Sequence, residues 1–321
     1  MYSAVTSVPI KSSSSLLYNN FDALLSENPL ETLYSIVHKS AVWLFNPKAA
    51  LEGDSTTYKR VICKGEGSHS SSLIFQAKWC VLAHRTLLVV TSVKGTQFFE
   101  SDGSIMVFWQ SLSPSATEGL AQYARGITGV GEKHICFGTA DGSILVFDVP
   151  SKGNGVKLQE TLNAHDQSIT ELHASNDTMI SGDEKGKIVV WRAGGYFQKL
   201  RVIDGYNYPA SSIRIWKNFV VAGYGSGHVR VFNSETGVII AEIAAHARWI
   251  NAIDIAEDSG MLLTTSEDSY FRIWNLSSFE VVQQTSIGDI QITGAKFLNS
   301  EGTKFGLTGY DLTDVLVYQK T

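Results

Sequence analysis

The sequence contains no long apolar run and no excess of basic charge. No uninterrupted stretch reaches the roughly 18 apolar residues that a membrane-spanning helix needs. The 321 residues include 26 Lys and Arg against 31 Asp and Glu, which gives a net charge of −5. A chain of this sign has no general attraction for phosphate backbones or anionic lipid headgroups. We therefore expect no nucleic-acid partner and no membrane insertion.

Cysteine is also scarce. The sequence has 3 cysteines, Cys63, Cys80 and Cys136, which lie far apart and form no C-x-x-C pair. An odd number of separated cysteines predicts reduced thiols rather than a disulfide framework. The first residues also lack the basic start and the apolar core of a secretory signal. We therefore expect a cytoplasmic protein.

Helical periodicity is nearly absent, and a different repeat takes its place. A short apolar strand runs into a tight polar turn and then into a second strand that ends at an aromatic residue, as in residues 135–147 and 178–191. The small-residue pairs that precede most of these turns recur about every 43 residues, a period typical of a four-stranded propeller blade. The sequence therefore predicts an all-β fold, a seven-bladed β-propeller of four-stranded antiparallel blades.

The two ends of the chain predict how the ring closes. Residues 315–318 form the last predicted strand, so the seventh blade lacks an outer strand of its own. Residues 1–11 have the composition of a strand, and we expect this latch strand to complete the last blade and leave no open edge. Residues 51–72 predict a loop-rich insertion between the first and second blades. We expect residues 1–321 to form a single propeller domain.

The sixth unit is the most complete copy of the repeat. It has a histidine, two threonines, an aspartate and a tryptophan at regular positions: His246, Thr264, Thr265, Asp268 and Trp274. This pattern resembles the WD-repeat (WD40) β-propeller family, in which a His, a Ser or Thr, an Asp and a Trp form a hydrogen-bonded relay inside one blade. The resemblance implies a structural role, because a fully satisfied buried polar network fixes local geometry. In the fourth unit, Lys185 stands where the turn aspartate is expected after His165, so we predict a complete relay only in the sixth blade.

Non-repeated sequence extends this resemblance over most of the chain. Five stretches are similar to one branch of the family: residues 79–82, 144–153, 222–227, 245–248 and 308–312. What the resemblance implies is a non-catalytic propeller that acts as a scaffold or adaptor. It supplies no ligand-binding residues to carry over.

Catalytic and cofactor-binding patterns are missing. The glycine-rich residues 126–131 and 223–227 do not open a helix, as a phosphate-binding loop requires. The 8 histidines include no pair at metal-ligand spacing. His246 with its predicted Asp and Thr partners mimics a hydrolytic triad, but a relay inside a blade lies out of reach of a substrate. We expect no catalytic residues, no metal and no cofactor.

Binding is the function for which the sequence offers positive signals. A propeller presents two sets of loops around one mouth of its channel, and aromatic and arginine side chains dominate interface energies. Seven such residues fall at these connections and form the predicted partner-binding rim: Arg125, Tyr206, Tyr208, Tyr224, Arg248, Trp249 and Tyr310. Trp249, just before a predicted inner strand, either binds a partner or stacks with the tyrosines to plug the channel.

The predicted function is therefore a scaffold that binds protein or peptide partners through this rim. A second reading is a reader of a methylated or otherwise marked peptide, because aromatic rings at a channel mouth can cage a cation. A hydrolytic propeller is the candidate from a different class, and self-association of the chain is a further possibility.

Overall fold

The structure is a computed structural model that describes residues 1–63, 72–112 and 123–321. In these residues 28 strands form seven four-stranded antiparallel sheets, accompanied by one short α-helix and one 3-10 turn. Every sheet except one is built from four consecutive strands. The predicted seven-bladed β-propeller is confirmed. No helix in these ranges is long and apolar enough to cross a membrane.

The strands are numbered in chain order, and the inner strand of each blade comes first. Blade 1 contains β2 (Phe21–Leu24), β3 (Leu33–His38), β4 (Ala41–Phe45) and β5 (Lys59–Ile62). Blade 2 contains β6 (Ile74–Val81), β7 (Thr86–Ser92), β8 (Gly95–Glu100) and β9 (Met106–Ser111). Blade 3 contains β10 (Ala124–Val130), β11 (His134–Thr139), β12 (Ser143–Asp148) and β13 (Lys157–Asn163). Blade 4 contains β14 (Ile169–Ser175), β15 (Thr178–Asp183), β16 (Ile188–Arg192) and β17 (Gln198–Ile203).

The remaining blades follow the same pattern until the ring closes. Blade 5 contains β18 (Ala210–Trp216), β19 (Phe219–Tyr224), β20 (His228–Asn233) and β21 (Ile239–Ala244). Blade 6 contains β22 (Ile250–Ile255), β23 (Met261–Ser266), β24 (Tyr270–Asn275) and β25 (Glu280–Ser286). Blade 7 contains β26 (Ile292–Phe297), β27 (Lys304–Gly309), β28 (Asp314–Lys320) and, as its outer strand, β1 (Tyr2–Pro9).

The hydrophobic core lies between neighbouring blades rather than at the centre of the ring. One cluster joins Ile180 and Val190 of blade 4 to Ile213, Val220 and Phe232 of blade 5, and every one of these side chains is buried. A strand packed on both faces must be apolar at successive positions, as in β16. This explains why the inner strands show weak alternation in sequence.

Polar side chains on the inner strands join five of the seven pairs of neighbouring blades around the channel. In each case a side chain accepts a hydrogen bond from a backbone N–H of the following blade's inner strand. The five pairs are Asp22 with Trp79, Gln76 with Gly126, His173 with Ile215, Ser212 with Ile253, and Asp254 with Phe297. Since a buried unpaired N–H costs about 1–3 kcal/mol, these bonds hold the inner strands in register.

Ring closure occurs as the sequence predicts. Strand β1 pairs antiparallel with β28, from Tyr2 opposite Lys320 to Pro9 opposite Asp314. The Tyr2 ring packs against Phe305 with centroids 5.3 Å apart. The Tyr2 hydroxyl donates to the carbonyl of Gly302 at 2.5 Å. The latch strand therefore completes blade 7 through both backbone and side-chain contacts.

The connection between β4 and β5 of blade 1 contains more secondary structure than the sequence predicts. A short helix, α1 (Pro47–Leu51), and a 3-10 turn, Ser55–Thr57, precede β5. Asn46 caps α1 by accepting from the N–H of Ala49 at 2.9 Å, and Pro47 occupies a position where no N–H is needed. Residues 64–71 of the predicted loop-rich insertion, residues 51–72, lie outside the described residues.

The two faces of the ring carry different loops. The connections between blades and the turns between second and third strands lie on what we call the upper face. The turns between first and second strands, and between third and fourth strands, lie on the lower face. Each face surrounds one mouth of the central channel.

The latch strand offers a matched pair of positions for testing closure. Val8 is 1% exposed and packs between blades 7 and 1, whereas Val5 on the same strand is 50% exposed. Val8→Asp places an unpaired charge in the core, so we expect it to lower the free energy of unfolding by about 3 kcal/mol or more. Val5→Asp should change it by less than about 0.5 kcal/mol.

Urea denaturation of both variants provides the measurement. Equal stability of the two variants would contradict the closure of blade 7 by β1.

Candidate interaction surface at the upper channel mouth

A short segment of the chain crosses the upper mouth of the channel. Residues 14–20, which join β1 to β2, are called the plug segment here. The N–H of Asn19 donates to the carbonyl of Asn251 at 2.9 Å, and the N–H of Asn20 donates to the carbonyl of Thr293 at 3.1 Å. The Asn19 amide also donates to a Glu171 carboxylate oxygen at 2.6 Å. The plug segment therefore contacts the inner strands of blades 4, 6 and 7 at once.

Tyr18 is the central side chain of the plug segment. The Arg125 guanidinium lies 3.2 Å from the centroid of the Tyr18 ring. The ring of Trp249 also packs against Tyr18, with centroids 6.1 Å apart and an angle of 39° between the planes. Burial raises the pKa of Tyr18 to about 12, so its hydroxyl stays neutral. Two of the seven predicted rim residues, Arg125 and Trp249, thus contact Tyr18.

The Trp249 ring packs closely against Gly225, and its indole N–H has no hydrogen-bond partner in the part of the chain that the structure describes. A side chain at Gly225 would approach the Trp249 ring to 2.6 Å, so only glycine leaves room for the indole here. The indole Nε1 is buried and has no hydrogen-bond partner among the described residues. Contact with Tyr18 agrees with the plug interpretation of Trp249.

Tyr224 and Arg125 do not lie exposed on the rim, and in this respect the sequence prediction is wrong. Tyr224 is 0% exposed and Arg125 is 8% exposed. Tyr224 ends β19, where its ring turns inward between blades 4 and 5. Apolar residues precede it on the strand, and the sequence offers no signal that separates an inward tyrosine from an outward one at a strand end.

Arg230 is a site residue that the sequence analysis missed. Its guanidinium lies 3.9 Å from the ring centroid of Tyr206 and 4.7 Å from that of Tyr224. Its Nε donates to Glu242 at 2.7 Å, and its Nη1 has no partner among the described residues. Arg230 alternates with valines along β20 and therefore looks like a solvated position in the sequence. Only the fold brings it beneath Tyr206.

The other predicted rim residues are accessible. Tyr206 is 37% exposed, Tyr208 is 51% exposed, and Arg248 is also exposed. Tyr208 and Tyr224 both approach Gly186, while Trp249 approaches Gly225, so these residues gather over blades 4 to 6. Tyr310 is 46% exposed and lies on blade 7, where its backbone bridges to Ser14 of the plug segment. The rim residues therefore form a group over blades 4 to 6 and a separate position at Tyr310.

The relay of blade 6 is present, with one correction. The Trp274 indole donates to Thr264 Oγ1 at 3.0 Å, Thr264 lies 2.8 Å from His246 Nε2, and His246 Nδ1 lies 3.0 Å from Asp268. Thr265 takes no part, because its hydroxyl donates to the carbonyl of Ala252. The contact with His246 lowers the pKa of Asp268 well below its ordinary 3.8, against the opposing effect of burial.

Blade 4 also has a complete relay, contrary to the sequence prediction. The Trp191 indole donates to Ser181 Oγ at 2.9 Å, and the His165 ring contacts Ser181 at 2.7 Å and Asp183 at 2.8 Å. The aspartate comes from the end of β15, two residues before Lys185. Asp183 Oδ1 accepts from the Lys185 N–H at 2.9 Å, while Oδ2 contacts His165. An aspartate placed before the turn can therefore complete a relay, just as Asp268 does from within the turn.

Comparison with known proteins places the chain in a family. A profile of the WDR54 family matches residues 1–320. The chain belongs to the WDR54 family. The predicted similarity to WD-repeat propellers, and within them to WD repeat-containing protein 54, is confirmed.

Curated relatives of the family match along nearly their whole length. WD repeat-containing protein 54 of Mus musculus is 38% identical over 332 residues, covering 98% of each chain. The protein of the same name from Homo sapiens is 37% identical over 325 residues, covering 96% of each chain. A chain in the crystal structure of the Mitotic Checkpoint Complex has a TM-score of 0.76 and 13% identity, covering 99% of this chain and 91% of that one. That likeness shows the propeller fold alone.

The two relays can be tested through their tryptophans. Trp191→Phe or Trp274→Phe removes the indole donor and leaves a buried hydroxyl with one bond fewer, so we expect each change to cost about 1–3 kcal/mol beyond the lost packing. Trp43→Phe is a control for the loss of an indole outside a relay, because the half-buried Trp43 indole has no hydrogen bond to any described residue. Guanidinium denaturation measures the three variants. Equal losses in all of them would contradict a stabilising role for the relays.

Acid should destabilise the fold through two histidines. Burial lowers the pKa of His173 and of His246 below the ordinary 6.5, and Asp268 partly opposes this at His246. Below about pH 6.5 the unfolded chain binds protons that the folded chain does not, so stability falls by up to about 1.4 kcal/mol per pH unit for each histidine.

His173→Gln keeps an acceptor for Ile215 and should flatten the dependence of unfolding free energy on pH between 6.5 and 5. The exposed His84→Gln should leave the dependence unchanged, and denaturation at several pH values measures both. An unchanged slope in His173→Gln would contradict the assignment.

Proposed function

We propose that this propeller is a non-catalytic cytoplasmic scaffold that binds protein partners at the upper face over blades 4 to 6. WD-repeat propellers typically mediate protein interactions, which supports the class of function. The observation that carries the proposal is the group formed by Tyr206, Tyr208, Arg248 and Trp249 around one channel mouth. Aromatic and arginine side chains in such a setting are the usual anchors of interfaces.

Unpaired donors within this group strengthen the proposal. Trp249 Nε1 and Arg230 Nη1 are buried and have no partner among the described residues. Because both atoms are buried, a partner reaches them only where binding moves the surrounding side chains; a carbonyl or carboxylate placed there would then recover the roughly 1–3 kcal/mol that an unpaired buried donor costs. Arg248 adds an exposed charge beside Trp249. Together these groups suit a loop or an extended segment that brings acceptors and apolar side chains to the mouth.

The alternative reading as an aromatic cage for a methylated cation has less support. The Tyr18 ring already holds the Arg125 guanidinium, and the rings of Tyr206 and Tyr224 flank Arg230. These aromatic faces are therefore occupied by the protein's own cations.

The hydrolytic alternative has no observation in its favour. The only described arrangements with the composition of a triad are the two relays, and the side chains of His165 and His246 are each 0% exposed. A substrate could reach neither ring without opening a blade. Self-association remains a prediction, and light scattering across protein concentrations would test it.

Two exposed rim residues provide the decisive test. We expect the double variant Tyr208→Ala with Arg248→Glu to lose most captured partners, since an interface anchor contributes about 2 kcal/mol or more, roughly thirtyfold in affinity. The control is Tyr196→Ala with Lys152→Glu, because Tyr196 is 75% exposed and both residues lie on lower-face turns. Affinity capture followed by quantitative mass spectrometry compares the two with wild type after their melting temperatures are matched. An identical set of partners for both double variants would overturn the upper-face proposal.

A further inference from the structure

A large cavity lies on the lower face, opposite the rim. Its volume is about 1050 Å³, at the upper end of the range for ligand sites. The lining runs from His173 and Arg214 on the inner strands of blades 4 and 5 to Leu200 and Arg201 on the outer strand of blade 4. We call this cavity the lower groove.

The lower groove carries cations without carboxylate partners. Arg192, Arg201 and Lys217 are exposed, and no described carboxylate pairs with any of them within 4.0 Å. Arg201 donates through Nε to the carbonyl of Glu235 at 2.9 Å, which fixes the side chain between blades 4 and 5 and leaves its terminal nitrogens unused. Lys217 lies 4.2 Å above the Trp216 ring. Such preoriented cations favour an anionic ligand.

Carboxylates in the groove offset these charges only in part. Asp254 pairs with Arg214 at 3.2 Å and is thereby neutralised. Glu235 and Glu257 are exposed and face three unpaired cations, in a protein whose net charge is −5. The groove is therefore locally basic but interrupted by negative charge. A uniformly charged phosphate backbone would meet both glutamates, whereas a peptide can direct uncharged groups toward them.

The inner end of the groove supplies a neutral donor. His173 Nδ1 accepts from the N–H of Ile215 at 3.2 Å, so its proton resides on Nε2. Burial and the nearby Arg214, Lys78 and Lys296 lower the pKa of His173 well below 6.5. The ring therefore stays neutral at physiological pH and offers one N–H.

The length and apolar content of the groove fit an extended peptide. Crossing from the inner to the outer strand of one blade spans about 14 Å, which an extended chain covers in about four or five residues. Leu200, which is 38% exposed, and the partly exposed Ile255 add apolar surface along this path.

We propose that the lower groove binds an acidic, extended peptide segment of a partner protein, with Asp or Glu side chains at Arg192, Arg201 and Lys217 and apolar side chains at Leu200. This site lies on the face opposite the rim, so it goes beyond the function proposed above.

A designed peptide pair tests the ligand chemistry. The probe is a fluorescein-labelled octapeptide that alternates leucine with glutamate, and its match has glutamine in place of glutamate. Fluorescence anisotropy with the full chain should show at least about tenfold tighter binding of the glutamate peptide, because each charge-assisted bond is roughly twice as strong as a neutral one. Its affinity should fall as salt rises. Equal binding of the two peptides, or tighter binding of a single-stranded RNA oligonucleotide, would overturn the proposal.

Matched charge variants locate the site. Arg192→Gln with Lys217→Gln should weaken binding of the glutamate peptide by about tenfold or more. Lys152→Gln with Lys157→Gln removes the same charge from exposed positions of blade 3 on the same face and should leave binding unchanged. An equal loss of peptide affinity in both double variants would show that only net charge matters and would overturn the assignment of the lower groove as the binding site. The rim variant Tyr208→Ala with Arg248→Glu should bind the peptide like wild type. A negative result for the lower groove would therefore leave the upper-face proposal standing, and a negative result at the upper face would leave the groove proposal standing.

Discussion

The pairing of β1 with β28 is the constraint on which the rest of the structure depends. A propeller blade buries its faces only against neighbouring blades, so an open ring would expose the cores on both sides of the gap. Here the closing contact is made between strands at opposite ends of the sequence, with Tyr2 opposite Lys320. Because Val8 packs with residues of both blade 7 and blade 1, the latch strand joins the last core to the first.

Closure also determines what the channel can do. The chain leaves β1 on the outside of blade 7 and must return to the inner strand β2, and the plug segment is the path that it takes. This path carries Asn19 to Glu171 and Tyr18 to Trp249 and Arg125. The upper mouth is therefore built partly by the N-terminal segment, and its accessible groups lie beside the channel rather than inside it. The lower mouth, without such a segment among the described residues, borders the lower groove.

The sequence predicts the repeated features of this protein better than the contacts between repeats. The period of about 43 residues and the missing last strand are enough to predict seven blades and their closure. The relay of blade 4 was not predicted, because Asp183 lies before the turn whereas Asp268 lies within it. Only the structure shows that both aspartates reach a histidine. The sequence does not reveal the positions of Tyr224 and Arg230 for a related reason: whether a side chain at the end of β19, or an arginine between the valines of β20, is covered depends on the neighbouring blade. The role of Tyr18 depends on a path across the channel that local composition does not encode.

The order of the strands has a consequence for synthesis of the protein on the ribosome. Strand β1 is translated first, but its partner β28 is translated after every other strand. Blades 1 to 6 can assemble from neighbouring segments as they emerge, while β1 must wait with its backbone N–H and C=O groups unpaired. An unpaired strand of this kind is open to pairing with other chains. Strand β1 carries no charged side chain that would oppose such pairing. The hydrogen bonds that Ser15 and Asn20 of the plug segment form with Val37 hold β1 near blade 1 until translation is complete.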